Sequence, residues 1–428
     1  MSRFASVRTL IRHRLIKNTA ALFIVQISTY VAPMLVLPYL SRVLSKDHFG
    51  LIAFATSFNW YFMSLVDYGF NLTATRRIAI HRDDPAEISR IFSSVMAAKV
   101  FLTMLGLVLM LTVVLGTPKL RPNLRLFCIC YMLVVGDLLF PLWLFQGLQK
   151  MGNLVWRDLG AKMLSLSLIF AFVRHDGDYL WAAAFQSGSM VLAGIVGLWA
   201  VFASTPVRWI APTLREVGAA LAEGWPVFLS VAANTLTTST DIFILGLQSG
   251  PTNVAYYTNA YRLIVALRAL VSPVVTALYP HISHMAFNSR ENAIAFLRKY
   301  AFVLAGPFFL GGIVLLVGAS PIVKLLYSAK YAPTAPLLRI LAFSPFLLAL
   351  QTSYSTFYML AFGYEKEWSR IVLQTAVLNF VLLIPLLWLM WAPAAVSLTG
   401  ILLDVFVTIA TYLFFRKSSA PVRETIAA

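Results

Sequence analysis

Apolar runs recur along the whole of this chain, and each is long enough to cross the roughly 30 Å hydrocarbon core of a membrane as a helix. Of the 428 residues, 60% are hydrophobic and 12% are charged, whereas soluble domains carry about a quarter charged residues. A soluble fold of this size could not bury so much apolar surface. The sequence therefore predicts an all-α polytopic membrane protein and excludes nearly all soluble enzymes and nucleic-acid-binding proteins.

The apolar runs predict about twelve transmembrane helices joined by short connections. Their predicted bounds are residues 19–42, 49–70, 91–116, 123–146, 153–173, 179–203, 224–248, 253–279, 298–319, 334–361, 368–391 and 394–415. We expect an N-terminal lobe over residues 1–207 with helices 1 to 6, and a C-terminal lobe over residues 208–428 with helices 7 to 12.

A weak internal repeat supports two lobes of the same orientation. Pro122 and Gly147 flank the fourth span as Pro336 and Gly363 flank the tenth. Because six helices separate the copies, the repeat is parallel, about an axis along the membrane normal. Two six-helix lobes that face each other enclose a central cavity, which is the architecture of an alternating-access transporter.

The distribution of basic residues predicts the orientation of the chain in the membrane. With the N-terminus in the cytoplasm, 21 of the 34 Lys and Arg residues fall in cytoplasmic segments, 8 fall in outer segments and 5 lie within spans. Cytoplasmic loops of membrane proteins carry such an excess of cations. The pattern predicts that both termini are cytoplasmic, and it explains the net charge of +17 without a nucleic-acid partner.

Sequence motifs for catalysis, nucleotide hydrolysis and metal binding are absent. The sequence has no Gly-Lys dipeptide, and so no phosphate-binding loop for ATP, and it has no His-Glu-x-x-His zinc motif. His281 and His284 lack a nearby carboxylate or cysteine, which favours a solvated loop over a metal site. We therefore predict no enzyme activity, no catalytic residue, no metal and no cofactor. The membrane potential and coupling to H⁺ or Na⁺ stay open as energy sources.

Five cations lie inside the predicted spans, where a charge costs a few kcal/mol or more unless it faces a cavity or a partner. Arg262 lies about 14 Å into the eighth span, close to the midplane, and Arg268 follows about 9 Å further on. Both are predicted to face the cavity and to bind substrate. Together with these two arginines, a cationic track across the two lobes would include Lys99, Lys162 and Arg339. Alternatively, the long side chains of these three residues reach the membrane surface.

Polar residues inside the spans are the counterparts of these cations. Asp137, Asp241 and Asp404 either neutralise a cation or bind a coupling H⁺ or Na⁺. The seventh span is polar from Asn234 through Thr238 to Asp241, so it is predicted to line the cavity.

Aromatic residues near the first crossings of each lobe are candidates for stacking on sugar rings. These are Trp60 and Tyr261. The neighbouring Tyr256 and Tyr257 fit an aromatic belt at the membrane interface equally well.

Three segments resemble bacterial Wzx-type O-antigen flippases. The segments PYLSRVLSKDHFG at 38–50 and DYGFNLTATR at 67–76 look like the opening of these proteins, and FPLWLFQGLQKM at 140–151 is similar to their fourth helix. Gln149 stands where the family pattern has Glu. The resemblance is concentrated in the first 160 residues, and the C-terminal half agrees mainly in helix count and polarity.

This resemblance implies the polysaccharide-transporter branch of the multidrug/oligosaccharidyl-lipid/polysaccharide exporter superfamily. Its members flip an undecaprenyl-pyrophosphate-linked oligosaccharide across the bacterial inner membrane during O-antigen and lipopolysaccharide biosynthesis. Pyrophosphate carries about two negative charges and suits bidentate binding by the guanidinium groups of Arg262 and Arg268. Outward movement of two such charges across ~100 mV gains up to about 4.6 kcal/mol. The expected partners are the lipid-linked oligosaccharide, the bilayer, a polysaccharide polymerase and a chain-length regulator.

Two other functions remain as alternatives. A multidrug antiporter of the same superfamily would use an anionic cavity for cationic drugs, and the number of charges within the spans does not exclude it. A membrane polysaccharide polymerase would act on the same lipid carrier. Such enzymes commonly present a long external loop, whereas no predicted outer connection exceeds about ten residues.

Overall fold

The computed structural model describes residues 34–150 and 152–419, and these fold into helices joined by short turns, with no strand among them. The side chains of residues 152–156, 233–234, 236–239 and 277 lie outside this description. The predicted class, an all-α polytopic membrane protein, is confirmed.

Sixteen α-helices follow one another along the described residues. They are α1 (Met34–Val43), α2 (Lys46–Asp67), α3 (Phe70–Ile80), α4 (Pro85–Gly116), α5 (Leu124–Leu139), α6 (Leu142–Gly147), α7 (Gly152–Phe172), α8 (Tyr179–Ser204), α9 (Leu214–Ser249), α10 (Pro251–Ala269), α11 (Val271–Asn288), α12 (Arg290–Tyr327), α13 (Thr334–Leu341), α14 (Ser344–Tyr354), α15 (Glu365–Leu389) and α16 (Ala392–Ser418). A π-helical segment, Ser355–Leu360, follows α14 directly.

Eight helical stretches of the described chain are long and apolar enough to cross a membrane, and the bent stretch from Pro251 to Asn288 would make a ninth. These nine coincide with predicted spans two to four, six, and eight to twelve. The helices α7 and α9 occupy predicted spans five and seven, and both are more polar than these nine stretches. The helix α7, for example, carries Arg157, Asp158 and Lys162. Predicted span one lies mostly outside the described residues, so the count of twelve stays a prediction.

The contacts between helices divide the chain into two compact units, Met1–Ala255 and Tyr256–Ala428. The helix α9 belongs to the first unit because it packs along α2 and α4. The predicted lobe boundary, between residues 207 and 208, places this helix in the second half. The division into two lobes of six helices, with a cavity between them, stays a prediction.

Close helix packing in the first unit depends on small residues. The helix α5 packs along α8, and their backbones meet at Gly136 and Gly194. A β-carbon at Gly136 would lie 2.6 Å from the main chain of Met190, and one at Gly194 would lie 2.6 Å from Cβ of Leu139. Small residues at such positions let transmembrane helices approach closely enough for extensive van der Waals contact.

Each unit contains two broken helices. In the first unit α2 gives way to α3 at Tyr68 and Gly69, which have φ of 46° and 78°, and α5 gives way to α6 at Pro141. In the second unit α10 gives way to α11 at Leu270, and α13 gives way to α14 at Phe343. Left-handed residues and prolines both end an α-helix. Two of these breaks, at Pro141 in the predicted fourth span and at Phe343 in the tenth, fall in the segments that the weak internal repeat relates to each other.

The core of the second unit is built around the π-helical segment. Its Tyr358 is fully buried, packs edge-on against Phe415 of α16 with ring centroids 4.8 Å apart, and places its hydroxyl 2.8 Å from that of Ser418. Runs of π-helix are rare. Here the π-helical segment is surrounded by aromatic packing within the core of the second unit.

Candidate functional site

Arg262 occupies the middle of α10, about 17 Å from Pro251 at 1.5 Å per residue. Its guanidinium interacts electrostatically with the hydroxyl groups of Tyr261 and Tyr327. Within the described ranges, no carboxylate lies within the 4.0 Å that defines an ion pair with Arg262. The guanidinium donors of this arginine therefore remain available to a ligand.

Two further polar residues share the helix face of Arg262. Thr258 and Asn259 precede it by four and three residues, which places all three on one side of α10. Both are buried, and the hydroxyl of Thr258 and the side-chain amide of Asn259 have no hydrogen-bond partner among the described residues. Buried polar groups are nearly always hydrogen-bonded, so this unsatisfied set marks a place where a ligand or water is expected. Sequence reasoning missed this pair, although two adjacent polar residues in an apolar span are a usable signal.

Arg268 pairs with Asp404 in the second unit. A guanidinium nitrogen of Arg268 lies 3.3 Å from Oδ2 of Asp404 and donates to the Ser344 hydroxyl at 3.1 Å. The hydroxyl of Ser344 donates to the same carboxylate oxygen at 2.5 Å. The cluster joins α10, α14 and α16 and is electrically neutral. Pyrophosphate binding by Arg268, and ion coupling by Asp404, stay predictions.

Lys99 pairs with Asp137 inside the first unit. Its side chain is only 2% exposed, and Nζ donates to Oδ2 of Asp137 at 3.0 Å and to the main-chain carbonyl of Asp137 at 2.9 Å. The ammonium is thus directed into the unit, where it joins α4 to α5. A role of Lys99 in the cationic track, and of Asp137 in ion coupling, stay predictions.

A further carboxylate that the sequence did not single out as a site residue lies near this pair. Asp67 is the last residue of α2, and its Oδ1 accepts a hydrogen bond from Nδ2 of Asn71 at 2.5 Å. Its carboxylate interacts electrostatically with both Asp137 and Lys99. The ammonium of Lys99 is therefore bonded to one carboxylate, Asp137, and interacts electrostatically with a second, Asp67.

Lys162 and Arg339 have local partners. Nζ of Lys162 lies 2.7 Å from Oδ2 of Asp158, one turn earlier in α7. Arg339, in α13, donates to the hydroxyl of Ser320 at 2.8 Å and is exposed. Their predicted place in the cationic track stays a prediction.

The remaining predicted residues lie on α2, α9 and α10. Asp241 follows Thr240 in α9, and the Thr240 hydroxyl lies 3.0 Å from that of Tyr61. Trp60 is 44% exposed, and the ring of Tyr261 stacks on that of Tyr257 with centroids 5.5 Å apart. The backbone of Asn234 and Thr238 lies in α9, but their side chains fall outside the described part. Cavity lining and sugar stacking by these residues stay predictions.

The fold is similar to that of known membrane transporters. A structure titled as the lipid II flippase MurJ in an inward closed conformation superposes with a TM-score of 0.69 at 12% identity, covering 94% of this chain and 87% of that one. An inward-facing multidrug resistance MATE transporter of the MOP superfamily superposes with a TM-score of 0.65 at 15% identity, covering 96% and 100%. These similarities define the class of fold: a polytopic helical membrane protein.

Sequence similarity shows the family. The family described as polysaccharide biosynthesis protein matches residues 15–286. A protein of Escherichia coli (strain K12) named as an O-antigen transporter is 31% identical over 405 residues, which are 94% of this chain and 97% of that protein. The chain belongs to this polysaccharide biosynthesis family, and the resemblance to Wzx-type O-antigen flippases is confirmed.

Proposed function

We propose that this protein moves an undecaprenyl-pyrophosphate-linked oligosaccharide, of the O-antigen or a related type, from the cytoplasmic to the periplasmic leaflet by alternating access. The observation that carries the proposal is the 31% identity to an O-antigen transporter over nearly the whole of both chains. A relationship of that extent includes the C-terminal half, where the sequence motifs are weakest. The fold shared with a lipid II flippase supports the same class of cargo, a sugar carried on a lipid pyrophosphate.

The charge arrangement on α10 supports the pyrophosphate part of the proposal. Arg262 has no carboxylate partner among the described residues, and Thr258 and Asn259 on the same helix face add unsatisfied polar groups. A diphosphate offers several acceptor oxygens, and a guanidinium binds two of them at once. Arg262 therefore holds the pyrophosphate, while Arg268, already paired with Asp404, contributes to the local field.

The location, orientation and partners follow from the same proposal. The protein lies in the bacterial inner membrane with both termini in the cytoplasm, in accord with the excess of cations in those segments. Its expected protein partners are a polysaccharide polymerase and a chain-length regulator. The membrane potential favours outward movement of the anionic carrier, so no bound cofactor is required.

A multidrug antiporter is the second candidate, because the fold is shared with a MATE transporter. An antiporter for cationic drugs would use an anionic cavity, whereas the charge without a carboxylate partner on α10 is the positive charge of Arg262, within the described residues.

The proposal is tested in cells from which the gene has been deleted. Surface polysaccharide is measured, and the lipid-linked precursor is assayed for its leaflet in the same cells. We expect the polymer to be lost and the precursor to be trapped on the cytoplasmic side, with both restored by the wild-type gene. Single repeat units in the periplasmic leaflet would indicate a polymerase instead. Unchanged polysaccharide with altered drug sensitivity would indicate the antiporter.

A further inference from the structure

Arg157, near the start of α7, packs against the ring of Trp199 in the neighbouring helix α8. The guanidinium carbon of Arg157 lies 5.5 Å from the centroid of that ring, which is a cation–π contact. The two helices are joined by a short turn and pack along each other. Arg157 lies five residues after the first residue of α7, and Trp199 lies five residues before the last residue of α8. Both residues are therefore about 7.5 Å from the same end of the helix pair, which in the predicted orientation is the cytoplasmic end.

The guanidinium of Arg157 has no anionic partner among the described residues. The adjacent carboxylate is already engaged, since Oδ2 of Asp158 lies 2.7 Å from Nζ of Lys162. Nη1 of Arg157 is buried and donates no hydrogen bond to any described residue. A buried donor that lacks an acceptor costs free energy, and a charged donor costs more than a neutral one. Arg157 therefore keeps its positive charge and has N–H donors for an anion.

The surface around this pair is apolar and open. Trp199 is 62% exposed, Ile195, one turn earlier in α8, is 53% exposed, and Leu164 of α7 is 47% exposed. Gly160, one turn after Arg157, is exposed, and a β-carbon built on it would meet no other atom within 4 Å. Residues three or four apart share a face of a helix, so the guanidinium and this open space adjoin on α7. The outer surface of the first unit thus carries a cation at its cytoplasmic edge and an apolar recess further into the membrane.

We infer that this surface, formed by Arg157, Gly160, Leu164, Ile195 and Trp199, binds one anionic phospholipid of the cytoplasmic leaflet. The guanidinium donates charge-assisted hydrogen bonds to oxygens of the lipid phosphate, while the ring of Trp199 holds it in position. One acyl chain packs in the open space at Gly160. A free phosphate would satisfy the guanidinium alone, whereas a phospholipid also covers the exposed apolar side chains. Basic groups at the ends of membrane-spanning helices attract anionic lipids of this leaflet.

This lipid site is separate from the proposed pyrophosphate site, because the two share no residue. It lies on α7 and α8, whereas Arg262, Thr258 and Asn259 lie on α10. The lipid site therefore does not depend on the proposed function, and it can be tested without the transported oligosaccharide.

The first experiment removes the charge at residue 157. Full-length protein, purified in detergent and depleted of lipid, is titrated with phosphatidylglycerol or phosphatidylcholine of identical acyl chains, and the tightest bound lipid is followed by native mass spectrometry. We expect the wild type to prefer phosphatidylglycerol about tenfold, and R157Q to lose this preference, because a charge-assisted hydrogen bond is removed. R208Q is the matched control and should keep the preference, since Arg208 is an exposed arginine just after α8. An unchanged preference in R157Q, or equal binding of both lipids by the wild type, would overturn the site.

A second pair of variants keeps the charge and removes an aromatic face, so it tests the site even where R157Q does not fold. W199L should weaken phosphatidylglycerol binding about fivefold, because no ring then holds the guanidinium. W181L is its control and should leave the affinity unchanged, since Trp181 is 60% exposed near the other end of α8 and stacks on Phe185. Equal affinities of W199L and W181L for phosphatidylglycerol would contradict the site.

Inorganic phosphate distinguishes a lipid from a soluble anion in the same titration. We expect phosphatidylglycerol to stay bound in an excess of inorganic phosphate, because its acyl chain adds apolar contacts that the free anion lacks. Displacement of the lipid would assign Arg157 to a soluble anion and remove the phospholipid from the proposal.

Discussion

The two compact units differ in how their buried cations are paired with carboxylates. In the first unit the ammonium of Lys99 is enclosed and bonded to Asp137, and the carboxylate of Asp67 interacts electrostatically with both. In the second unit Arg268 is balanced by Asp404, and Arg262 leaves a surplus of positive charge. A surplus guanidinium suits a phosphate. The comparison teaches that each unit pairs a cation with a carboxylate, and that Arg262 of the second unit has no carboxylate partner among the described residues.

The largest effect is expected where a buried ion pair is broken in the first unit. K99M leaves the Asp137 carboxylate without its ammonium and should lower the free energy of unfolding by about 3–5 kcal/mol. Unfolding of the purified protein in mixed micelles measures this loss. R90M is the control, because the Arg90 side chain is 63% exposed and its pair with Glu87 lies within one helix, so its loss should stay below about 1 kcal/mol. Equal losses in the two variants would remove the distinction between an enclosed and a peripheral pair.

Next in size is the effect of removing the surplus cation of the second unit. R262A should lower transport about 100-fold, because charge-assisted hydrogen bonds contribute about 1.5–3 kcal/mol. Surface polysaccharide in complemented deletion cells, normalised to the amount of inserted protein, measures the effect. R416A removes an exposed arginine in the last turn of α16, outside the predicted cationic set, and it should change transport less than twofold. Full activity of R262A would exclude the phosphate assignment.

A smaller effect is expected at the neutral cluster of the second unit. S344A removes the hydroxyl that donates to Asp404 at 2.5 Å and should lower the free energy of unfolding by about 1–2 kcal/mol. The control is S353A, another buried serine of α14, whose hydroxyl bonds only the main-chain carbonyl of Ala349 among the described residues. If S353A costs as much as S344A, the cluster around Asp404 adds nothing beyond ordinary serine burial.

The smallest effect concerns a surface charge at the start of α9. Hydrogen bonds from Thr213 hold the pKa of Glu216 below its ordinary value, within a capping box. The stability that the ionised carboxylate of Glu216 contributes is present at neutral pH and is lost as the pH falls through the lowered pKa. E216Q should therefore reduce the melting temperature slightly at neutral pH and not at strongly acidic pH. A thermal melt at both pH values checks the sign, and an equal reduction at both would contradict the role of the ionised carboxylate.

The sequence alone identified four of the buried charged residues, but it did not identify how they pair. Lys99, Asp137, Arg268 and Asp404 stand out because a charge inside an apolar span is rare and needs a partner. Which cation pairs with which carboxylate depends on helix packing: residues 268 and 404 are far apart in the chain and meet only because α10 and α16 pack in one unit. Asp67 was harder to recognise, because it lies at the end of a span and resembles an ordinary interfacial residue.

The sequence by itself determined the class of protein, the positions of most helices and the family, because apolar runs and short motifs are local properties of the chain. The tertiary structure decided how the buried charges are shared: Lys99 with Asp137 near Asp67, Arg268 with Asp404, and Arg262 with no carboxylate in the described chain. Charge pairing requires atoms within about 4 Å of each other. That proximity is set by how helices pack across long sequence separations, which hydropathy along the chain does not encode.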